Sequence, residues 1–484
     1  MRLILCLTVF IFTFSANAQS LTPTQIRQDL VFLKTKLENI YPGLGYYYPK
    51  NQFDKLYDSL YNNTGNLMQY EEFFRYINPL VSNQKDGHLS FDHRKKYYVK
   101  KPPLIPIQIR NIDQKYFIVL NGSADSVLVA GTEILKIDGR SILEIHETLA
   151  SVIRNGSDGP NRTGRYLRSM INFAAYYAEW FGTPDSIQIE FKLPELNQIQ
   201  TRTIACRSIT DINATITRLY PKLIDAAPNL SLKIIDSLKS TAVLRISTFR
   251  SFGGFDIFNL KFRRKLKKVF TELENKRIEN LVIDLTGNGG GAVINSGKLL
   301  EYLMPRPFNQ IDSSRLTAKG KWAYFIIPFN ILEHVDFWIN YRRDPKTRDF
   351  VSRNRQKKDH QPIDGLRFRG NIYFLQNGAS YSAASTVLSQ ALSQGVGTFV
   401  GEACGGAYWG DFAGRFRNLK LPNSKIQVRL PLKTFYHGVD PKKANGFTVE
   451  PDFRVQRTYR NITNPTNFYL DYALKLIKDG KKAR

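Results

Sequence analysis

From Thr241 onward, short apolar runs of β-forming residues alternate with segments of helical period. Ala242–Ile246 and Leu281–Leu285 read as buried-type strands, with a basic helix over Leu260–Glu274 between them. Asn371–Leu375, Thr398–Val400 and Ile426–Leu430 continue the strands, and Thr386–Ser393 lies on a helix. Strands alternating with helices predict an α/β domain, here over residues 241–460, followed by a C-terminal helix and basic tail over 461–484.

The upstream texture is different. Thr22–Asn66 and Tyr70–Val81 space their apolar residues at helical period, as in Leu30, Leu33, Leu37 and Ile40. They predict a helical domain over residues 19–98, whose closing loop runs Asp86-Gly87-His88-Leu89-Ser90-Phe91. From Lys101 strands follow at Ile105–Ile109, Tyr116–Leu120 and Gly131–Arg140, then a helix over Leu143–Arg154. The string Gly131-Thr132-Glu133-Ile134-Leu135-Lys136-Ile137-Asp138-Gly139 resembles the G-x-x-I-L-x-I-D-G segment of PDZ domains. That resemblance implies a β-rich PDZ-like domain over 99–195, interrupted by a helical insertion at Tyr166–Phe181, and a connecting segment over 196–240. PDZ domains take an extended peptide as an extra strand on a sheet edge.

With 484 residues, 42% of them hydrophobic, the chain has the apolar content for real cores, which excludes a disordered protein. Three cysteines are too few for a disulfide scaffold or a thiolate zinc module. Residues 1–18 read as a signal peptide: Arg2, the apolar run Leu3–Phe14, and the small-x-small site Ala16-Asn17-Ala18. The mature chain is then exported, periplasmic or extracellular, without a transmembrane span and with Cys206 and Cys404 as its remaining cysteines. The net charge of +27 invites a nucleic-acid partner. Its cations are scattered, with short clusters at Arg94-Lys95-Lys96, Lys261–Lys268 and Lys478–Arg484, and none forms a groove-reading motif. A solvated basic surface, weakly drawn to anionic surfaces, is expected, with no nucleic acid as partner.

Two segments of the α/β region could carry chemistry. Asp284-Leu285-Thr286-Gly287-Asn288-Gly289-Gly290-Gly291 follows a strand directly. Its glycines let the backbone approach a ligand, but their spacing fits neither a Walker loop nor a dinucleotide fingerprint, leaving a tight turn or an oxyanion hole. Asn377-Gly378-Ala379-Ser380-Tyr381-Ser382 leads from a strand into a helix whose apolar residues begin at Ala384. Ser382 at that junction is either a helix cap or an exposed nucleophile beside a free backbone N–H.

With His88, these segments resemble the C-terminal-processing, or tail-specific, serine peptidases of family S41, in the tricorn-core-like branch. The family's D-x-R-x-N-x-G-G stands here as Asp284–Gly291, with Thr286 in place of arginine. Its S-A-x-E stands as Ser382-Ala383-Ala384-Ser385, its G-E-x-x-x-G as Gly401–Gly406, and its V-E-P-D as Val449–Asp452. The resemblance implies a multi-domain chain: helical cap, PDZ-like domain and a crotonase/ClpP-like α/β catalytic core. It implies an endopeptidase in which Ser382 attacks, His88 serves as base, and the N–H groups of Ala383 and of Gly289 or Gly290 hold the oxyanion.

The familiar family lysine, 25 residues after the serine, is Ala407 here, and Ser385 stands where glutamate is usual. Histidine then serves as base, as in the tricorn-like branch, with a pKa suited to the task. An acid supporting it is expected at Asp440 or Glu450, with Asp86 as a local alternative, and His437 is an alternative base. No cofactor is implied, and no metal, since no His-x-x-x-His pair occurs. The expected partner is a peptide or unfolded-protein substrate. A peptide- or apolar-ligand-binding protein with a dead site, like the family's retinoid-binding relatives, and an acyl hydrolase using the same serine are the competing readings.

Overall fold

The computed structural model describes residues 20–92, 102–153, 156–194, 196, 198–221, 228–235, 238, 240–250, 259–325, 331–353, 359–463 and 467–481. The expected signal peptide, residues 1–18, lies outside them.

Three helices of eight residues or more lie near the start of the described chain: α1 (Pro23–Ile40), α2 (Lys50–Asn62) and α3 (Tyr70–Ile77). Thr22 and Gln25 form a reciprocal capping box at the start of α1, where Pro23 already lacks the N–H that a first turn leaves unpaired. A loop bearing His88 leads into the short strand β1 (Ser90–Asp92).

Next comes an antiparallel sheet of β2 (Ile107–Ile112), β3 (Lys115–Asn121), β4 (Glu133–Ile137), β5 (Ser186–Lys192) and β6 (Ile199–Ala205), paired in that order. The Asp138-Gly139 turn after β4 is built by positive φ at both residues, +50° and +77°. Between β4 and β5 lie α4 (Ile142–Val152), α5 (Thr163–Ile171) and α6 (Phe173–Phe181). The predicted insertion is thus a pair of helices. They pack onto β2 and α4: Arg110 Nη1 donates to Met170 O (3.2 Å), and His146 Nε2 lies 3.1 Å from Tyr166 O. Edge strand β2 therefore has the chain's own helices against it, whereas β6 at the other edge is largely exposed.

The third unit is a six-stranded sheet in the order β7 (Leu230–Ile234), β8 (Thr241–Ile246), β9 (Asn280–Asp284), β11 (Asn371–Gln376), β12 (Thr398–Gly401) and β15 (Phe453–Arg454). Only β7 runs antiparallel to its neighbour; the others are parallel. Alternate strand residues face opposite layers, as the pleat requires. Leu281 and Ile283 pack with α7 (Leu260–Asn275), α8 (Val293–Glu301) and α9 (Ala383–Gln394). Val282 packs with α10 (Phe468–Lys478) on the other side. Parallel neighbours β9 and β11 end side by side, so the glycine loop and the Ser382 turn emerge together, where α/β sheets present their ligand sites.

A second antiparallel sheet contains β10 (Ile311–Leu316), β13 (Gly410–Lys420) and β14 (Gln427–His437), and β1 anneals to β14 with Ser90 opposite Arg429. The N-terminal helices do not enclose a core of their own. Leu30, Leu37 and Phe73 share one with Phe412, Ile426, Val428 and Leu430 of the β13–β14 hairpin. Asp29 caps that hairpin's turn by accepting from the backbone of Asn423 (2.8 Å) and Ser424 (2.9 Å). Cys206 and Cys404 are both free thiols. No described helix is long and apolar enough to cross a membrane.

Candidate active site

Ser382 sits where β11 turns into α9, with φ +56° and ψ −123°. A non-glycine residue in that region is strained, and the sharp turn lifts its side chain out of the helix. It occupies the cap position of α9, yet its hydroxyl makes no capping bond. The structure therefore removes the helix-cap alternative. Neighbours hold the turn: Ser380 Oγ donates to Leu285 O (2.8 Å), and Tyr381 N to Asn288 O (2.9 Å).

The glycine loop closes over this turn. A Cβ on Gly290, whose φ is +94°, would fall 2.7 Å from Ser382 Cβ and 2.8 Å from Tyr381 O, so only glycine fits. The buried Asn288 side chain organises the loop, donating to Ile246 O (2.8 Å) and accepting from Gly290 N (2.9 Å). That bond corrects one expectation: the Gly290 N–H is already used and is not open to an oxyanion. The N–H groups of Gly289 and Ala383 have no acceptor among the described residues.

His88 arrives from the far end of the chain. Its Nε2 lies 3.1 Å from Ser382 Oγ, across 294 residues of sequence. Annealing of β1 to β14 brings it there, and Arg429 Nη1 holds its carbonyl (3.2 Å). Burial, then the positive charges of Arg429 and Arg168, lower the imidazole pKa to about 3, so the ring is neutral near pH 7.

The far nitrogen is not met by the expected acids. Asp440 is exposed, and its carboxylate caps the turn at Lys442 N (3.0 Å). Glu450 accepts from Arg454 Nη2 (2.9 Å). Neither is brought to the His88 ring; both carboxylates are committed to local structure. Asp86 is nearby, but its Oδ1 accepts the His88 backbone N–H (2.8 Å) and stands 3.9 Å from Nδ1, while Tyr41 donates to Oδ2 (3.0 Å). His437 is buried between Thr386 Oγ1 and Tyr408 O, each 3.1 Å from a ring nitrogen, and does not reach Ser382.

Two residues the sequence reading missed fill the place. Tyr381 O–H lies 2.9 Å from His88 Nδ1 and donates to Asp158 Oδ1 (2.7 Å). Asp158 also accepts from Gly87 N (3.1 Å) and, at longer range, from Ala407 N (3.4 Å). A Cβ on Gly87 would fall 2.4 Å from the tyrosine oxygen, so glycine before the histidine is what admits Tyr381. Tyr381 is adjacent to Ser382 in sequence and could have been suspected for that. Asp158 lies in the Gly156-Ser157-Asp158-Gly159 loop of another unit, with no spacing signal linking it to Ser382.

The family departures fit this packing. Ser385 is buried and bonds back to Ser382 O (2.7 Å), and it packs against Gly406 so closely that a Cβ there would meet its hydroxyl. Ala407 is buried, its amide directed at Asp158. Asp86, His88 and Asp158 offer donors within 4.8 Å of one another. Tyr381 already occupies the position between His88 and Asp158.

Residues 240–455 match the model of peptidase family S41. No curated protein matches the chain. Among solved structures, mature CPAF is 15% identical, with 94% of this chain and 96% of that one covered, at TM-score 0.60. CPAF complexed with lactacystin is 14% identical, covering 94% and 97%, at TM-score 0.62. A putative peptidase from Parabacteroides merdae is 14% identical, covering 94% and 97%, at TM-score 0.47. The CPAF likenesses show that this multi-domain α/β fold recurs across nearly the whole described chain, and the family match supports a peptidase function. The part of the chain that resembles peptidase family S41 at the level of the family model is its α/β core, residues 240–455.

Proposed function

We propose that this protein is an exported serine endopeptidase acting on peptides or unfolded proteins. Ser382 Oγ attacks the scissile carbonyl carbon while His88 Nε2 takes its proton. The tetrahedral oxyanion is received by the N–H groups of Ala383 and Gly289; one such donor typically contributes about 10²–10³ in rate. His88 then returns the proton to the leaving amine, and water resolves the acyl-enzyme by the same route. The PDZ-like unit holds an extended part of the substrate, and its exposed strand β6 is the sheet edge left to accept one.

The observation that carries this reading is the 3.1 Å contact between a neutral, buried imidazole and a serine that caps nothing. The binding reading needs neither feature.

The test is to incubate residues 19–484, beside Ser382→Ala and His88→Ala, with denatured proteins near neutral pH and to map new peptide termini by mass spectrometry. New termini made by the parent and by neither variant support the proposal. No cleavage by folded parent across several substrates would favour the binding reading.

A further inference from the structure

We propose that Tyr381 and Asp158 are positioning residues that fix the tautomer of His88, so that the serine's base is set by a loop outside the matched S41 core. The catalytic consequence rests on the peptidase reading above; the tautomer itself does not.

A tyrosine hydroxyl has one proton to give and lone pairs to accept with, and an ionised carboxylate only accepts. Asp158 collects donors, namely Tyr381 O–H and Gly87 N–H on Oδ1 and the more distant Ala407 N–H on Oδ2, so the tyrosine proton points at Asp158. What Tyr381 turns toward His88 Nδ1, 2.9 Å away, is therefore a lone pair. Nδ1 must supply the proton there. Nε2 is left bare, facing Ser382 Oγ at 3.1 Å, and that is the tautomer able to accept the serine's proton. Once Nε2 is protonated, the ring becomes a cation, and the Asp158 charge stabilises it at one remove through Tyr381. No proton has to travel along the chain.

A proton on Asp158 inverts the array. Asp158 would donate to the tyrosine oxygen, Tyr381 would donate to Nδ1, and the ring proton would stand on Nε2, facing the serine with nothing to accept.

The surroundings make this protonation state sensitive. Asp86, Asp411, Tyr41, Tyr47, Arg165, Arg168 and Arg429 are the charged or titratable groups around the Asp158–Tyr381–His88 array. Burial pushes the carboxyls of Asp86 and Asp158 up together, and the charge of one buried carboxylate disfavours charging the other. Burial also holds Asp411 well up, and burial with the neighbouring carboxylates keeps Tyr381 protonated.

Asp158 belongs to the segment between α4 and α5, which docks on the core as a wedge. Asp158 N donates to Gly405 O (3.1 Å), Gly159 N to Lys85 O (2.8 Å), and Arg168 Nη2 to Ala379 O (3.0 Å). The β-rich unit thus contributes a side chain to the site.

The test reads the ring directly. Residues 19–484 are labelled with 15N-histidine, and His88 is assigned by its loss in His88→Gln. Its two ring nitrogens are then observed by NMR near pH 7.5 in the parent and in Tyr381→Phe. The proposal expects the Nδ1–H form in the parent and a shift toward Nε2–H in the variant. An Nε2–H parent overturns it without any variant having to fold, and so does a folded variant that keeps the Nδ1–H form. With a cleavable substrate, Tyr381→Phe should lose about 10²-fold or more in kcat with little change in KM, as expected for loss of base positioning. A protein inactive in every form, yet with His88 in the Nδ1–H form, would defeat the peptidase reading and leave this one standing.

Discussion

Tyr381 and Ser382 are neighbours in sequence, yet their hydroxyls meet opposite nitrogens of one imidazole: Ser382 Oγ lies 3.1 Å from His88 Nε2 and Tyr381 O–H 2.9 Å from Nδ1. The strained backbone of Ser382, with φ +56°, lets two successive side chains embrace the same ring. The turn at Ser382 therefore carries both hydroxyls that meet the His88 ring.

The glycine loop should tolerate no side chain at its closest approach. Gly290→Ala places a methyl group 2.7 Å from Ser382 Cβ on a backbone that L residues rarely adopt. The expected result is a fall in kcat of about 10²-fold or more, from a misplaced serine and a displaced Gly289 N–H. Steady-state kinetics on protein of native circular dichroism checks it. Undiminished kcat would remove the loop from the site.

Acid inactivation should report Asp158 rather than His88. The histidine pKa is lowered to about 3, so its protonation lies too far down to set the limb. Burial pushes Asp158 up to about 6. As pH falls through that value the carboxyl gains a proton, the tautomer inverts, and activity declines; above it, activity is retained. The pH profile of kcat/KM measures this, and Asp158→Asn should be slow with the limb gone. A limb near pH 3, or one unchanged in the variant, contradicts the assignment.

Restoring the family glutamate should harm the fold. Ser385→Glu inserts a longer, charged side chain at a buried position that packs against Gly406. Overpacking and burial of a charge together should cost about 2–4 kcal/mol. Urea unfolding of parent and variant checks it, and equal midpoints would show that the site relaxes.

The N-terminal helices should unfold with the hairpin they cover. Leu37 is fully buried in the core that α1 shares with Phe412 and Leu430. Leu37→Ala should cost about 2–5 kcal/mol. Circular dichroism and the fluorescence of Trp409, which packs on that core, should move together along one transition. A separate, earlier helical transition would mean that the helices form an independent unit.

Much of this was legible in the sequence because it is local. Leu281–Leu285 and the glycines after it announce a strand end, and Asn377–Ala384 announces a strand-to-helix junction. Whether Ser382 caps that helix could not be read, since a serine there is compatible with both roles until its hydroxyl's partner is known. The resemblance puts a supporting acid near Val449-Glu450-Pro451-Asp452, and the structure brings neither expected acid to His88. Asp440 and Glu450 serve their own turns, while Asp158, 70 residues along the chain from His88, meets Tyr381 behind the ring through long-range docking. Gly290 failed as an oxyanion donor for a subtler reason: the side chain of Asn288, two residues earlier, takes its N–H. Amphipathic periodicity in the N-terminal helices tells which face is buried, not that the hairpin of β13 and β14 is what covers it.

The claim that Ser382 is a nucleophile activated by His88 is tested most directly by an active-site fluorophosphonate. Residues 19–484 are incubated with the reagent near pH 7.5, and the adduct is followed by intact mass and located by peptide mapping. One adduct is expected, on Ser382, forming at least about 10²-fold more slowly in His88→Ala. An adduct elsewhere, or an equal rate without the histidine, would contradict it.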